Sequence, residues 1–305
     1  MNWNELVKSP PPDTVWHVDS AVVLSARRDR RGGCRCVAAD TPAGTFSIGP
    51  VGLQSVDAER LRSVLENLQG QISGSKRPGV VVPTAWVRSF LLELEELPRH
   101  QAEIEDVLRW RLKKLLPIPV TELRLAFTVQ PRSGSKNQLL CAAVVERAAQ
   151  DLEKPFQELG ITPSLLVPRL TALAMQPGDP EQPRLVVQQE PGFISMVLVL
   201  DGGVRMIRTK PLPMTEGAWA AARQEIGMAM TFLRSHLEID RVIEASVCAS
   251  DLTAHEAILE WLGEYDDVTC STPRSGVQWM DQAVVGIVSE SRLVPVSAVL
   301  LGGMP

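Results

Sequence analysis

Four histidines, five cysteines and one glycine-rich run are the places where this 305-residue sequence could do chemistry. His17, His100, His236 and His255 are far apart along the chain, and no Ser–His–Asp arrangement can be argued from them. Cys34, Cys36, Cys141, Cys248 and Cys270 are odd in number and irregular in spacing, so no disulfide framework is implied. Cys34-Arg-Cys36 has no nearby histidine or cysteine to complete a tetrahedral zinc site. Buried thiols in a reducing cytoplasm fit this usage. The run "GQISGSK" (Gly70 to Lys76) superficially suggests a phosphate loop. Its glycine spacing is wrong and Arg77 stands where Ser or Thr should, so it reads as a flexible loop. Asp266-Asp267 reads as a solvated turn. No catalytic residue, metal ligand or cofactor is expected.

Two basic stretches remain. Arg27, Arg28, Arg30 and Arg31 form a hairpin tip, read as a solvated turn or as a contact with an acidic partner or anionic lipid. The stretch "VLRWRLKKLLPIPVTEL" (Val107 to Leu123) mixes apolar and basic residues. Glu103, Glu105 and Asp106 precede Arg109, Arg111, Lys113 and Lys114, an order that matches the helix macrodipole and sums to only +1. That favours a helix covered on one face over a lipid-surface helix, whose whole polar face would be basic. The complete chain carries 31 basic and 36 acidic residues, which gives no general attraction to nucleic acid. No apolar run approaches the roughly 20 residues that span a bilayer, and the first residues do not read as a secretory signal.

The elements that must position these residues alternate between strand and helix. "TVWHVDSAVVLSARRDRRGGCRCVAADTPAG" reads as two strands joined at "RDRRGG". "SVDAERLRSVLENLQGQI" reads as a helix capped by Ser55 or Asp57, with Leu61, Val64, Leu65 and Leu68 on one face. "PGVVVP" is a buried-type strand. After strand "VRSFLLELEELP", a helix spans about 100–116, with Ile104, Val107, Leu108, Leu112 and Leu115 as its apolar positions. Strands "ELRLAFTVQP" and "NQLLCAAVVER" flank the loop "RSGSKN". A helix ending at Gly160, strand "ITPSLLVP" and a short helix follow. "GDPEQP" (178–183) is the clearest linker. Beyond it come three strands with a hairpin turn at Asp201-Gly202, a long helix over about 216–238, a strand–helix–strand unit and a helical stretch from about Gln278. The pattern argues for α/β.

The stretch from "VVVPTAWVRSFLLELEELPRHQAEIEDVLRWRLKKLLPIPVTELRLAFTVQ" through "QLLCAAVVERAAQDLEKPFQELGITPSLLVPRLTALA" resembles the PilM family. These are cytoplasmic actin-like proteins of type IV pilus assembly. The resemblance covers roughly Val80 to Ala174 and rests on the order of elements and the prolines that punctuate them. The cytoplasmic domain of the type II secretion protein GspL shares that fold. The resemblance implies an actin-like, two-lobe α/β fold with a small inserted subdomain; the short passage between hairpin strand and long helix in this chain departs from the family and leaves the second lobe reduced. The first lobe would cover 1–177, the insertion about 84–158, the linker 178–183 and the second lobe 184–305, whose last helix returns to the first lobe. It also implies a partner: the N-terminal cytoplasmic tail of PilN, an inner-membrane protein, docks beside the inserted subdomain. Here the groove would be bordered by Val81, Val82, Trp86, Phe90, Trp110 and Arg111.

An actin-like ATPase would need two glycine-containing hairpins to cradle phosphate. The first should read Asp-x-Gly, but "HVDSAVVLS" offers Asp19 and Ser20 without glycine, and a side chain obstructs close backbone approach. The second is replaced by "VVQQEPGFISMV", where Gln188 and Gln189 stand for the expected acid and its neighbour and Pro191 removes an N–H. "CASDLTA" lacks the Gly-Gly expected at the adenosine loop. "MIRTKPLPMTEGAWAAARQEI" leaves no room for the helical subdomain that grips the base. The expectation is a non-catalytic scaffold, cytoplasmic and peripheral to the inner membrane, linking a PilN-like protein to cytoplasmic motor ATPases. The rival readings are a GspL-like secretion scaffold and an actin-like ATPase with unorthodox loops.

Overall fold

The computed structural model describes residues 11–29, 32–49, 51–72, 74–131, 136–213, 217–281 and 290–302. Arg30, Arg31 and most of the "RSGSKN" loop lie outside the described residues. The chain opens with β1 (Thr14–Val18), β2 (Val22–Arg28), β3 (Gly33–Asp40), β4 (Phe46–Gly49), β5 (Gly52–Val56), α1 (Ala58–Gln71) and β6 (Gly79–Val82). The "TVWHV…VAAD" stretch is three strands, not two. Asp19 makes the extra turn without glycine, because its Oδ1 accepts from the backbone N–H of Ala21 and Val22, both at 2.8 Å. Asp57 caps α1 by accepting from Arg60 N, and Leu61, Val64, Leu65 and Leu68 are the buried face.

Next come β7 (Arg88–Leu94), α2 (Gln101–Leu112), β8 (Leu123–Val129), β9 (Asn137–Val145), α3 (Glu146–Glu158), β10 (Leu165–Pro168) and α4 (Arg169–Ala174). The β7, β9 and β8 strands form a sheet of their own, antiparallel in that order, and α2 covers it through Ile104, Leu108 and Leu112. Helix α2 ends at Leu112, short of the expected 116. The chain then turns toward Pro117 and Pro119, and Leu115 is exposed rather than apolar core.

The remaining elements are β11 (Arg184–Glu190), β12 (Phe193–Leu200), β13 (Gly203–Pro211), α5 (Ala218–Ser235), β14 (Ile243–Cys248), α6 (Leu252–Gly263), β15 (Val268–Ser271), β16 (Gln278–Trp279) and α7 (Glu290–Leu301). Asp201 and Gly202 both take positive φ (51° and 68°), the conformation a two-residue hairpin turn requires. Gln278–Trp279 is not helical. It pairs in parallel with Gly33 and Cys34, which its neighbours in sequence could not reveal.

Two large sheets organise the fold. The first has the order β10-β6-β1-β2-β3-β16, and the second β13-β12-β11-β14-β15. Helix α7 packs Leu293, Val296, Val299 and Leu300 against Val15, Leu24 and Val81 of the first sheet. Helix α4 lies between the sheets, with Leu170 and Leu173 packed against Val186 and Val197. One backbone approach is unusually close. A Cβ on Gly52, whose φ is +106°, would sit 2.3 Å from the carbonyl oxygen of Trp86. Gly52→Ala should lower stability by about 2 kcal/mol or more, read from urea denaturation. An unchanged midpoint would show that the Trp86 turn yields freely.

Candidate functional site

The polar groups of the interior converge where α4 meets the ends of β1 and β11. Strand β1 is buried along its length and places His17 inside. Asp19 follows in the turn. Pro168 starts α4 at Arg169, so this arginine enters from an otherwise apolar segment and is only 5% exposed. Its Nη2 lies 3.0 Å from both Asp19 Oδ2 and His17 Nε2, and its Nη1 lies 2.8 Å from Glu190 Oε1 on β11. Arg292 of α7 donates to the same Asp19 oxygen from Nε at 2.7 Å. One guanidinium thus ties the first sheet to the second, and a second guanidinium shares the aspartate.

Thr84 completes the join. Its N–H donates to Glu190 Oε2 at 3.0 Å and its hydroxyl to Gln188 Oε1 at 2.7 Å, while the same hydroxyl accepts from Leu170 N at 2.9 Å. Burial works to raise the Asp19 carboxyl. The hydrogen bond and charge of His17 and the charges of Arg169 and Arg292 hold it well below the usual carboxylate range instead. Burial, then the Arg169 charge, pushes His17 down to about 4 against the pull of Asp19. With His17 neutral near pH 7, its hydrogen bond and the two guanidiniums are what keep Asp19 ionised. Burial raises Glu190, opposed by Arg169 and by the N–H groups of Thr84 and Ala85.

This arrangement does not fit a bound nucleotide. The N–H groups of the β1–β2 turn, which a phosphate would need, are taken by Asp19 itself. The Asp19 oxygen that would face a hydrated magnesium is taken by two arginines. At the β11–β12 turn, Pro191 has no N–H and Glu190 is spent on Arg169 and Thr84. In the "CASDLTA" segment, Asp251 caps α6 and the Ser250 hydroxyl donates to Gln189 at 2.6 Å. Strand β13 ends at Pro211 and α5 begins at Ala218, and residues 214–216 between them lie outside the described residues. Other chemistry is equally unsupported. Burial pushes the Cys34 thiol up to about 11 and those of Cys36 and Cys141 to about 12, so these thiols are poor nucleophiles. No group of three or more His, Cys, Asp or Glu side chains suited to a metal occurs among the described residues.

Two sheets joined through a central polar seam, with an extra small sheet inserted into the first half, define the topology. The fold is actin-like, in the form seen in PilM. The chain matches the solved PilM–PilN type IV pilus biogenesis complex with a TM-score of 0.69 and 16% identity, over 96% of this chain and 98% of that one. It also matches a Bacteroides thetaiotaomicron protein of actin-like ATPase fold and unknown function (TM-score 0.49, 10% identity, 93% and 99% covered). A third match is the cytoplasmic domain of EpsL, an inner-membrane component of the type II secretion system of Vibrio cholerae (TM-score 0.45, 9% identity, 82% and 94% covered). No family model matches the sequence, and no curated protein does.

In this PilM-like arrangement the six expected groove residues do not form one surface. Val81 and Val82 lie in β6, which is paired on both sides by β1 and β10 and offers no free edge. Both are buried, as is Trp86, which packs on Phe46 at 4.5 Å between ring centroids. Phe90 is half-buried on edge strand β7. Trp110 and Arg111 are exposed on α2, Trp110 by 57%. The structure adds an apolar pocket lined by Val80, Leu152, Glu153, Phe156, Pro163 and Leu166, beside edge strand β10. Arg124 of β8 bonds both Glu146 and Glu153 of α3, so the pocket adjoins the small sheet. Sequence reasoning missed Arg169, Thr84 and Arg292. The signal for the first was present: a lone arginine inside "LLVPRLTALA" needs a buried partner.

Proposed function

We propose that this chain is a non-catalytic scaffold of a pilus or secretion machine that binds the N-terminal cytoplasmic tail of a PilN-like inner-membrane protein. The observation that carries the reading is the fold shared with PilM over nearly the full length of both chains, taken from a structure in which PilM is partnered by PilN. The polar seam supports the non-catalytic part, since the Asp19 carboxylate and the N–H groups of its turn are engaged within the chain, although His17 Nδ1, Arg169 Nε and Gln188 Nε2 have no hydrogen-bond partner among the described residues. The tail lies beside the inserted sheet, along the edge of β10, with an apolar side chain in the pocket next to Leu166. Edge-strand addition with an anchoring pocket is a common mode of extended-peptide recognition. Through that tail the chain is held at the inner membrane from the cytoplasmic side, where cytoplasmic motor ATPases connect to it.

Two titrations by calorimetry test this. Mg-ATP at millimolar concentration should give no saturable heat, and a saturable site would overturn the non-catalytic reading. A synthetic peptide of the N-terminal segment of a PilN-like protein from the same organism should bind. Leu166→Glu should weaken that binding about tenfold or more, as expected for a charge placed at an apolar anchor. No binding by the wild-type chain would end the scaffold reading in this form. Equal binding by the variant would place the groove elsewhere.

A further inference from the structure

The end of α2 combines exposed apolar and basic residues. Its inward face, Ile104, Leu108 and Leu112, is spent on the small sheet. Trp110 lies on the opposite side of the helix and is 57% exposed, and Leu115 just beyond is 53% exposed. Arg111, Lys113 and Lys114 are exposed around them. The Lys114 ammonium stands 4.9 Å from the centre of the Trp110 ring and the Arg111 guanidinium 5.7 Å. Of the exposed acids of α2, Glu103 lies in the first turn and Asp106 one turn before Trp110, while Arg109 is turned to Glu105 and to the backbone of Val120. From Val107 to Thr121 the chain has no acidic residue. Pro117 and Pro119, just beyond, are also exposed.

We propose that this end of α2 is a contact site for an anionic lipid surface. An exposed tryptophan and leucine can enter the headgroup region, and the three cations flanking them meet the negative charge there. The long basic side chains keep their heads in the polar layer while their stems follow the apolar residues inward. An acidic polypeptide would satisfy the cations but would make no use of the exposed apolar area of Trp110 and Leu115. The charge balance of the whole chain, −5, opposes general adsorption to such a surface, so attraction must come from a local patch. The sequence expectation of a purely structural helix holds for its inner face. The outer end carries a second role. This proposal does not rest on the peptide groove, which uses other residues.

The test is co-sedimentation of the full chain with sucrose-loaded vesicles of phosphatidylcholine alone or with phosphatidylglycerol. Binding is expected to the phosphatidylglycerol vesicles at low salt, to be weak to the neutral ones, and to fall as ionic strength rises. Lys113→Gln with Lys114→Gln should weaken partitioning about thirtyfold, because each cation near an anionic surface contributes roughly a factor of five. Trp110→Ala should weaken it about fivefold without changing the thermal midpoint, since the ring contributes apolar area only in the bound state. Leu115→Ser is the second apolar variant. No binding to anionic vesicles, or binding that all these variants retain, overturns the proposal. So does capture of soluble polyglutamate with no capture of vesicles. Failure of the PilN-type peptide to bind leaves these expectations untouched, so the two readings fail separately.

Discussion

Arg169→Ala is expected to lower the stability of this chain by about 3–5 kcal/mol, the usual cost of leaving buried carboxylates without their counter-charge. Asp19 and Glu190 are 6% and 4% exposed, and among the described residues Arg169 is the one guanidinium that touches both. Without it, Asp19 keeps Arg292, but Glu190 is left with backbone N–H groups alone. The thermal midpoint should drop by about 8 °C or more for a chain of this size. Two further variants separate charge from packing. Arg169→Lys keeps the charge but cannot reach both carboxylates at once, and should recover only part of the loss. Arg169→Met with Glu190→Gln removes the uncompensated charge on the second lobe and should recover more than Arg169→Met alone. A midpoint within about 2 °C of wild type for Arg169→Ala would mean that the seam is solvated and does not join the sheets.

Acidification is expected to weaken the fold through His17. Its folded-state value is about 4 against 6.5 for the free side chain. Between those two values the unfolded chain binds a proton that the folded chain does not. Stability is therefore fully present above about pH 6.5 and falls as the pH drops toward 4, by an amount on the order of 2–3 kcal/mol. Asp19 acts in the same direction at lower pH, because its folded-state value is depressed and its contribution is lost as the carboxylate is protonated. Glu190 acts in the opposite direction, since burial raises it and protonation relieves that cost. Urea unfolding at pH 7, 6, 5 and 4.5 measures the sum. His17→Gln isolates the histidine: its stability should be flatter than wild type across that window. Parallel profiles for the two proteins would show that His17 is charged in the folded state.

Much of the local architecture was legible from the residues. The Asp57 cap, the Leu61, Val64, Leu65 and Leu68 face and the Asp201-Gly202 hairpin follow from spacing and turn chemistry. The missing glycine at Asp19-Ser20-Ala21 and the proline in Glu190-Pro191-Gly192 were equally visible. The outward position of Trp110 was also open to reading, since Ile104, Leu108 and Leu112 leave it on the far side of the helix.

Other features lay beyond the reach of the sequence. The β4–β5 pair went unseen because "FSIGPVGLQSV" carries a proline and two glycines where strands are weakly signalled. The pairing of Gln278–Trp279 with β3 joins segments more than two hundred residues apart. Trp86 and Trp110 are the same residue type in neighbouring elements, yet one is 1% and the other 57% exposed. By itself the sequence determined the periods, caps and turns, because these depend on residues a few positions apart. The polar seam was decided only by tertiary structure. Arg169 meets Asp19 across 150 positions of sequence and Glu190 across the boundary between the sheets. Charge attraction and desolvation depend on distance in space, and that distance exists only after both sheets have packed on α4.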